Sequence, residues 1–102
     1  MPTVKKEPAR AWLNRAFTAL GDPLGRDVVE AVRNSPGITI SELCEAFPVS
    51  RFTIMRQLNA LEDAELLHRE RDGKTKRIFL QLAGFERLTT GWLRQMAETG
   101  ED

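Results

Sequence analysis

The chain has 102 residues, of which 41% are hydrophobic and 29% are charged, and its fifteen basic and fifteen acidic side chains cancel. This length predicts one domain with a modest core, and no apolar run approaches the roughly 20 residues that a membrane-spanning helix needs. The single cysteine excludes an internal disulfide, and the N-terminal segment lacks the apolar stretch of a signal peptide. We therefore expect a cytoplasmic protein with a flexible leader at 1–8, one domain at 9–98 and no contact with a membrane.

The charge balance argues against a nucleic-acid partner, whereas the distribution of charge along the chain does not. Residues 69–77 contain five basic and two acidic side chains. Such a strip can meet phosphates on a neutral body, because local contacts matter more than the total charge. A solvated hairpin without a ligand explains these charges equally well, so charge alone leaves both interpretations open.

The first half of the chain has the pattern of three helices. Apolar residues at helical spacing predict a helix over 9–20. Asp22 then suits an N-cap and Pro23 a first helical turn, which predicts the start of a second helix that ends at an Asn-Ser-Pro-Gly segment. Thr39 and Glu42 have the spacing of a capping box, which predicts a short third helix.

A fourth helix follows after a turn of three residues. Ser50 suits its N-cap, and Ile54, Leu58 and Leu61 form its predicted buried stripe. Two short helices, here 40–47 and 51–64, joined by a tight turn are the helix-turn-helix arrangement. The second of these helices enters the major groove of DNA in proteins that use it.

The periodicity then changes from helical to alternating. Segments 67–71 and 76–82 flank Asp72-Gly73, and Asp-Gly between alternating segments is a strong signal for a β-hairpin. Four apolar residues at spacings of three, four and four predict one closing helix (Phe85, Leu88, Trp92 and Met96). The predicted fold is mainly α with a small β-hairpin, a winged helix-turn-helix dimerised through its first and last helices.

The outward face of the fourth helix is the predicted site of base contacts. Phe52 and Arg56 lie opposite the buried stripe, with Met55 at its flank. Arginine can bind guanine through two hydrogen bonds, and apolar atoms can meet the methyl group of thymine. The basic hairpin beside this helix suits contact with phosphates. The alternative is that Phe52 and Met55 pack on a neighbouring helix or on a partner chain.

Four segments in this order resemble the ArsR family of winged-helix repressors: ALGDPL at 19–24, ISEL at 40–43, VSRFTIMRQL at 49–58 and LEDAELL at 61–67. The resemblance covers about residues 12–95. It implies a homodimer built from the first and last helices, an operator with two half-sites, and repression that a signal relieves. Neither the inducing signal nor the operator sequence follows from these residues.

The resemblance also implies the roles of individual residues. Base-reading positions fall on Arg51, Phe52, Met55 and Arg56, although the family has small polar residues where Phe52 and Met55 stand. Glu65 replaces the usual glycine in the turn before the hairpin. The predicted contacts with double-stranded DNA are Ser50, Arg51, Phe52, Thr53, Met55, Arg56, Gln57, Arg71, Lys74, Lys76 and Arg77. The large apolar residues at both ends of the chain predict the homodimer interface, namely Trp12, Leu13, Phe17, Phe85, Leu88, Trp92 and Met96.

Metal sensing and catalysis are not expected. Cys44 stands without a second cysteine, because Ala46 occupies the position where the family has one, and His68 is distant, so no zinc site and no cofactor is predicted. Cys44 lies on the apolar face of its helix and is predicted to be a buried structural thiol. The chain has one histidine, no tyrosine and no acid–base constellation, which argues against an enzyme. A winged-helix module that binds another protein through Phe52 and Trp92 remains the alternative to a DNA-binding regulator.

Overall fold

The computed structural model describes residues 9–98, so the predicted leader at 1–8 lies outside the described residues. Helices dominate the described part, and a small antiparallel sheet combines a short strand before the third helix with a hairpin between the fourth and fifth helices. The elements are α1 (Ala9–Gly21), α2 (Pro23–Asn34), β1 (Ile38–Thr39), α3 (Ile40–Glu45), α4 (Arg51–Asp63), β2 (Leu67–Asp72), β3 (Thr75–Leu80), α5 (Leu82–Thr90) and α6 (Trp92–Ala97).

Asp22 begins α2, as its sequence position predicts. Its carboxylate accepts a hydrogen bond from the backbone N–H of Leu24 at 2.9 Å, and Pro23 occupies the first turn. Proline is favourable there because the first N–H groups of a helix have no acceptor inside it. The guanidinium of Arg26 also donates to the carbonyl of Leu20 at 2.7 Å. The end of α1 and the start of α2 are therefore held together.

The predicted capping box begins α3. The hydroxyl of Thr39 accepts from the backbone N–H of Glu42 at 3.0 Å, and the carboxylate of Glu42 accepts from the backbone N–H of Thr39 at 3.0 Å. The helix ends at Glu45, two residues before the predicted end. The helix-turn-helix is thus formed by α3 and α4, and local side-chain hydrogen bonds determine where α3 begins.

The wing, which we define as the β2–β3 hairpin at 67–80, has the predicted topology with a tighter loop. Asp72 pairs with Thr75 at the end of the ladder, so Gly73 and Lys74 form a two-residue loop. Gly73 has a φ of +66°. A positive φ at the first loop residue suits a type II′ turn, whose twist matches that of the flanking strands.

The third strand of the sheet, β1, has no counterpart in the sequence prediction. Ile38 pairs with Ile78 and Thr39 with Arg77, which gives the strand order β1-β3-β2. Gly37 precedes β1 with a φ of +86°, a conformation that glycine adopts without steric cost. Two residues are too few to show a period, so only long-range pairing with β3 reveals this strand.

The predicted closing helix is in fact two helices, which corrects the sequence interpretation. Gly91 separates α5 from α6 with φ −100° and ψ −115°. Glycine is a poor helix former, and just before it the hydroxyls of Thr89 and Thr90 donate to the carbonyl of Glu86. The apolar spacing of three, four and four continues across the break without interruption, so periodicity does not reveal that the helix ends at Gly91.

The core lies between α1, α2, α4 and the base of the wing. Ile54, Leu58 and Leu61 are at most 1% exposed, which confirms the predicted buried stripe of α4. Within residues 9–98 no helix combines the length and the apolarity that crossing a membrane requires. The largest fully buried side chains are Val28, Val32, Leu43, Ile54, Leu58, Leu61, Leu66, Leu67 and Ile78.

Candidate nucleic-acid interface

Ser50 organises the first turn of α4. Its hydroxyl accepts a hydrogen bond from the backbone N–H of Thr53 at 3.1 Å, and the two hydroxyl oxygens lie 3.0 Å apart. The cap satisfies a backbone donor that has no partner inside the helix. Ser50 and Thr53 therefore stabilise the end of α4 where the sequence analysis places base contacts.

Phe52 and Arg56 project from α4 on the side opposite its buried stripe. Phe52 is 70% exposed, and the guanidinium carbon of Arg56 lies 5.9 Å from the centroid of its ring. A cation–π contact at an exposed site contributes only about 0.5–1 kcal/mol. Because its side chain is mostly exposed, Phe52 does not pack against a neighbouring helix of the same chain. Met55, in contrast, is half-buried and packs against the core.

A cleft of about 540 Å³ separates the N-terminal half of α4 from the wing. Four basic side chains and three hydroxyl groups line it, and none of its lining residues carries a carboxylate. Arginine, lysine and hydroxyl side chains are those that contact phosphate and sugar oxygens in protein–DNA complexes. The lining residues are Thr39, Ile40, Ser41, Arg51, Met55, Arg69, Lys74, Thr75 and Lys76.

Strand pairing sorts the charges of the wing onto two faces. Arg69 lies opposite Ile78, and Arg71 lies opposite Lys76. Directly opposed residues, and alternate residues along a strand, share one face of a sheet. Arg69, Arg71 and Lys76 are therefore on the face of the buried Ile78, with no acidic residue among them. The other face carries both acidic residues of the hairpin beside one arginine (Glu70, Asp72 and Arg77).

Arg77, a predicted phosphate contact, has two hydrogen-bond partners within the chain. Its Nε donates to the carboxylate of Asp72 at 2.7 Å, and its Nη1 donates to the carbonyl of Gly37 at 2.9 Å. Arg77 therefore joins the wing to the turn before β1, and the carboxylate compensates its charge. Arg71, Lys74 and Lys76 are exposed, and with Arg77 they stay the predicted phosphate contacts of the wing.

Gln57, a predicted DNA contact, makes a long-range hydrogen bond within the chain. Its Nε2 donates to the second carboxylate oxygen of Asp22 at 2.8 Å, 35 positions earlier in the chain. This hydrogen bond, together with that from the backbone N–H of Leu24, lowers the pKa of the Asp22 carboxyl. Gln57 thus attaches α4 to the start of α2, and its amide donates a hydrogen bond there.

The environment of Cys44 also differs from the prediction of a buried thiol. Cys44 packs against the core and is still partly exposed, with Nη1 of Arg51 at 3.9 Å from its Sγ. His68 lies on β2, where its ring stacks on Phe79 with centroids 5.5 Å apart and Nε2 is 3.0 Å from Glu70. In the described part of the chain no three His, Cys, Asp or Glu side chains lie close enough to share a metal ion.

A second cleft, of about 730 Å³, lies between α1, α5 and α6. The rings of Phe17 and Trp92 pack edge-to-face in this cleft, with their centroids 5.5 Å apart. The guanidinium carbon of Arg87 lies 4.0 Å from the centroid of the Trp12 ring. Its lining combines aromatic, basic and amide side chains (Arg10, Trp12, Leu13, Asn14, Phe17, Arg87, Gly91, Trp92 and Gln95).

Two residues predicted for a dimer interface belong to the core of the chain itself. Trp12 is 4% exposed and donates from Nε1 to the carbonyl of Ala64 at 2.8 Å, whereas Leu88 is 3% exposed. The apolar spacing of Trp12 and Leu88 indicates that they are buried, but it does not indicate whether their own chain or a partner chain covers them. The other five predicted residues still offer surface: Leu13 and Phe85 are half-buried, and Phe17, Trp92 and Met96 are exposed.

Five residues that line the cleft beside α4 were not among the predicted DNA contacts: Thr39, Ile40, Ser41, Arg69 and Thr75. Thr39 and Ser41 reach it from the start of α3, and Arg69 reaches it from β2. Thr39 was already assigned to helix capping, and Arg69 was counted only as part of the basic strip. The alternation of the hairpin could have placed Arg69 on the face of Lys76, since the turn determines the register.

Comparison with known proteins identifies the family. The model of the MarR family matches residues 26–78, which is more than half of the chain and includes α3, α4 and most of the wing. The chain belongs to the MarR family. A search of curated proteins by sequence finds no significant match.

Solved structures relate this MarR-family chain to winged-helix transcriptional regulators. A regulator of the ArsR family has 25% identity and a TM-score of 0.80 over 95% of this chain and 98% of that chain. An ArsR-like regulator from Rhodococcus sp. RHA1 has 28% identity and a TM-score of 0.67 over 86% and 89%. FabT of Streptococcus pneumoniae, solved in complex with DNA, shares the fold with 18% identity and a TM-score of 0.57 over 88% and 71%. The resemblance to ArsR-family regulators is thereby confirmed, and the relatives are regulators, not enzymes.

Proposed function

We propose that this protein is a sequence-specific regulator of transcription that binds double-stranded DNA as a homodimeric repressor. The observation that carries the proposal is the cleft between α4 and the wing. Its lining contains Arg51, Lys74 and Lys76, together with Arg69, which pairs with Glu62 behind the cleft, and the lining itself has no carboxylate. The net charge of zero does not oppose this function, because the acidic residues of the wing lie on its other face.

The exposed side of α4 has the chemistry of base recognition. Arg56 can bind guanine through two hydrogen bonds in the major groove, and Phe52 can meet the methyl group of thymine. The basic face of the wing would lie along the sugar-phosphate backbone beside that groove, where contacts position the protein without reading sequence. FabT, a protein with the same fold, was solved in complex with DNA, which supports DNA binding by a chain of this fold.

The homodimer is part of the proposal. Phe17, Trp92 and Met96 are 37%, 43% and 50% exposed, and α6 buries none of its residues in its own chain. A helix with this much apolar surface is stabilised by a partner, and a second copy is the partner that a palindromic operator would require. Residues 9–98 would then be one winged-helix unit of each protomer, acting in the cytoplasm without a metal or cofactor.

A protein-interaction module is the second candidate, because the exposed Phe52 would also suit a protein partner. Mobility-shift titration decides between the two, beginning with fragments from the promoter of its own gene. We expect specific binding in the presence of excess competitor DNA. Binding of every fragment with equal affinity, or of none, would contradict the proposal.

Two variants test the role of α4 in that assay. Arg56→Ala and Phe52→Ala should each change stability by at most about 0.5 kcal/mol, because both side chains are exposed. Arg56→Ala should still cost roughly 1–3 kcal/mol of specific binding, the usual loss for a paired hydrogen bond to guanine, and Phe52→Ala should also lower affinity for the operator. Arg33→Ala, which removes an exposed arginine from the last turn of α2, is the matched control and should bind like wild type. Stable variants with unchanged affinity would remove α4 from DNA recognition.

A further inference from the structure

Three side chains join the recognition helix to the wing. Arg69 on β2 donates from Nε to Oε2 of Glu62 at 2.8 Å, and from Nη2 to Oε1 of the same carboxylate and to Oδ1 of Asn59, the latter at 2.8 Å. Asn59 and Glu62 belong to the second half of α4. We call these three residues the helix–wing clamp.

The geometry of the clamp restricts orientation as well as distance. The guanidinium of Arg69 engages both carboxylate oxygens of Glu62, and paired hydrogen bonds of this kind fix the relative angle of the two groups. The side chains of Arg69 and Glu62 are only 22% and 25% exposed. The ion pair between Arg77 and Asp72 is more open, with 43% and 62% exposed. Solvent and salt therefore weaken the clamp less than an ordinary surface pair.

The clamp lies between the buried base of the wing and its charged tip. Leu67 and Ile78 are buried in the core, whereas residues 70–74 and Lys76 are exposed. A two-stranded ribbon has little stability by itself, so the direction of the tip depends on what holds the strands below it. Arg69, two residues beyond Leu67 on the same face, is held directly by α4.

We propose that the helix–wing clamp is a positioning device for DNA recognition, an inference that rests on the proposed function. The clamp sets the angle between α4 and the wing so that Lys74 and Lys76 reach phosphates while Arg56 lies in the groove. Within it Glu62 compensates the charge of Arg69, which makes this arginine a structural part of the cleft wall. None of the three residues needs to contact a base.

The sign of one mutational effect separates this role from simple electrostatics. Glu62→Gln removes a negative charge close to the cleft. If charge alone mattered, DNA would bind this variant more tightly, because one repulsive carboxylate is lost. If the clamp positions the wing, DNA binds it more weakly, because Lys74 and Lys76 no longer reach their phosphates together.

The experiment is a set of titrations of the full chain with a specifically bound fragment at several salt concentrations, with melting temperatures measured in parallel. Each phosphate contact contributes about 0.9 to the slope of log K against log salt. We expect Glu62→Gln to weaken binding and to lower the slope by about one to two units, although both lysines are intact. In the Lys74→Ala/Lys76→Ala double variant, Glu62→Gln should produce no further change in slope.

Two further variants complete the design. Asp63→Asn removes an exposed carboxylate from the end of the same helix and should bind DNA as well as wild type or more tightly. Arg69→Lys keeps the positive charge but loses the paired hydrogen bonds to Glu62. It should therefore lower the slope of log K against log salt as Glu62→Gln does. If Glu62→Gln does not fold, the slope of Arg69→Lys tests the clamp in its place. A folded Glu62→Gln protein with unchanged or stronger binding and an unchanged slope overturns the clamp. Failure of wild type to bind any duplex would overturn the proposed function itself, and the clamp with it.

Discussion

Glu65 is the residue with the most unusual backbone conformation in the described structure. Its φ is +62°, and it is the residue after the C-cap of α4. The backbone N–H of Glu65 donates to the carbonyl of Glu62 at 2.9 Å, and that of Leu66 donates to the carbonyl of Leu61 at 2.9 Å. These two bonds form a Schellman motif, in which glycine is the usual residue at the left-handed position. A glutamate there costs about 1–2 kcal/mol relative to an unstrained backbone.

Glu65→Gly should therefore stabilise the fold. We expect a net gain of roughly 0.5–1 kcal/mol, because the relief of strain exceeds the greater chain entropy of glycine in the unfolded state. For a domain of this size, that gain raises the melting temperature by several degrees.

Glu65→Ala is the matched control. It also loses the long ion pair with Arg87, at 4.0 Å between exposed side chains, but it keeps a Cβ at the strained position. Thermal unfolding of both variants separates the two effects. A glycine variant no more stable than the alanine variant would show that the turn stores no strain.

At the scale of elements, the close packing of α5 on the turn after α4 controls where the C-terminal helices lie. Gly84 is buried, and a Cβ added to it would lie 2.0 Å from the backbone carbonyl oxygen of Glu65. Real Cβ atoms do not approach backbone so closely, so one of the two elements would have to move. The small residue in α5 is thus required by helix–turn contact.

Gly84→Ala should lower the free energy of unfolding by about 1–3 kcal/mol, the usual cost of forcing a methyl group into a packed contact. Gly21→Ala is its control, because no atom outside its local backbone lies within 4 Å of the added Cβ and the position is the last of α1. That control should be neutral or stabilising by up to about 1 kcal/mol. Denaturant titration of both variants measures the difference. Equal stabilities would mean that α5 shifts at no cost.

At the scale of the whole molecule, apolar surface is concentrated on the C-terminal helix. Trp92, Leu93 and Met96 are 43%, 40% and 50% exposed, and Phe17 of α1 adjoins them through its contact with Trp92. Exposed apolar residues that are contiguous mark interaction surfaces, whereas isolated ones do not. The cleft beside α4 has a different lining, so the two surfaces can serve different partners.

We expect the protein to sediment as a dimer of about 23 kDa at micromolar concentration, twice the 11.6 kDa of one chain. Trp92→Ala should shift the equilibrium towards monomer and weaken binding to a two-half-site operator, because the two recognition helices would no longer bind together. Phe52→Ala removes an aromatic ring that is even more exposed and should leave the dimer intact. A wild-type protein that sediments only at 11.6 kDa would contradict the prediction.

Local interactions made much of the fold predictable from sequence. Capping hydrogen bonds join residues two or three apart, so Asp22, Thr39 and Ser50 indicated where α2, α3 and α4 begin. The Asp-Gly pair indicated the hairpin, because a tight turn has few suitable residues. Periodicity likewise identified the buried stripe of α4 and the exposed position of Phe52, since both follow from the geometry of a single helix.

Tertiary structure alone decided which partner each side chain has. Asp22 lies 35 positions from Gln57 and Gly37 lies 40 positions from Arg77, so no local pattern predicts the hydrogen bonds that engage Gln57 and Arg77. The burial of Trp12 within its own chain depends in the same way on the distant carbonyl of Ala64. Periodicity identifies the face of an element that is buried, whereas contacts between elements depend on how their backbones are arranged in space, because each such contact joins residues that the sequence separates.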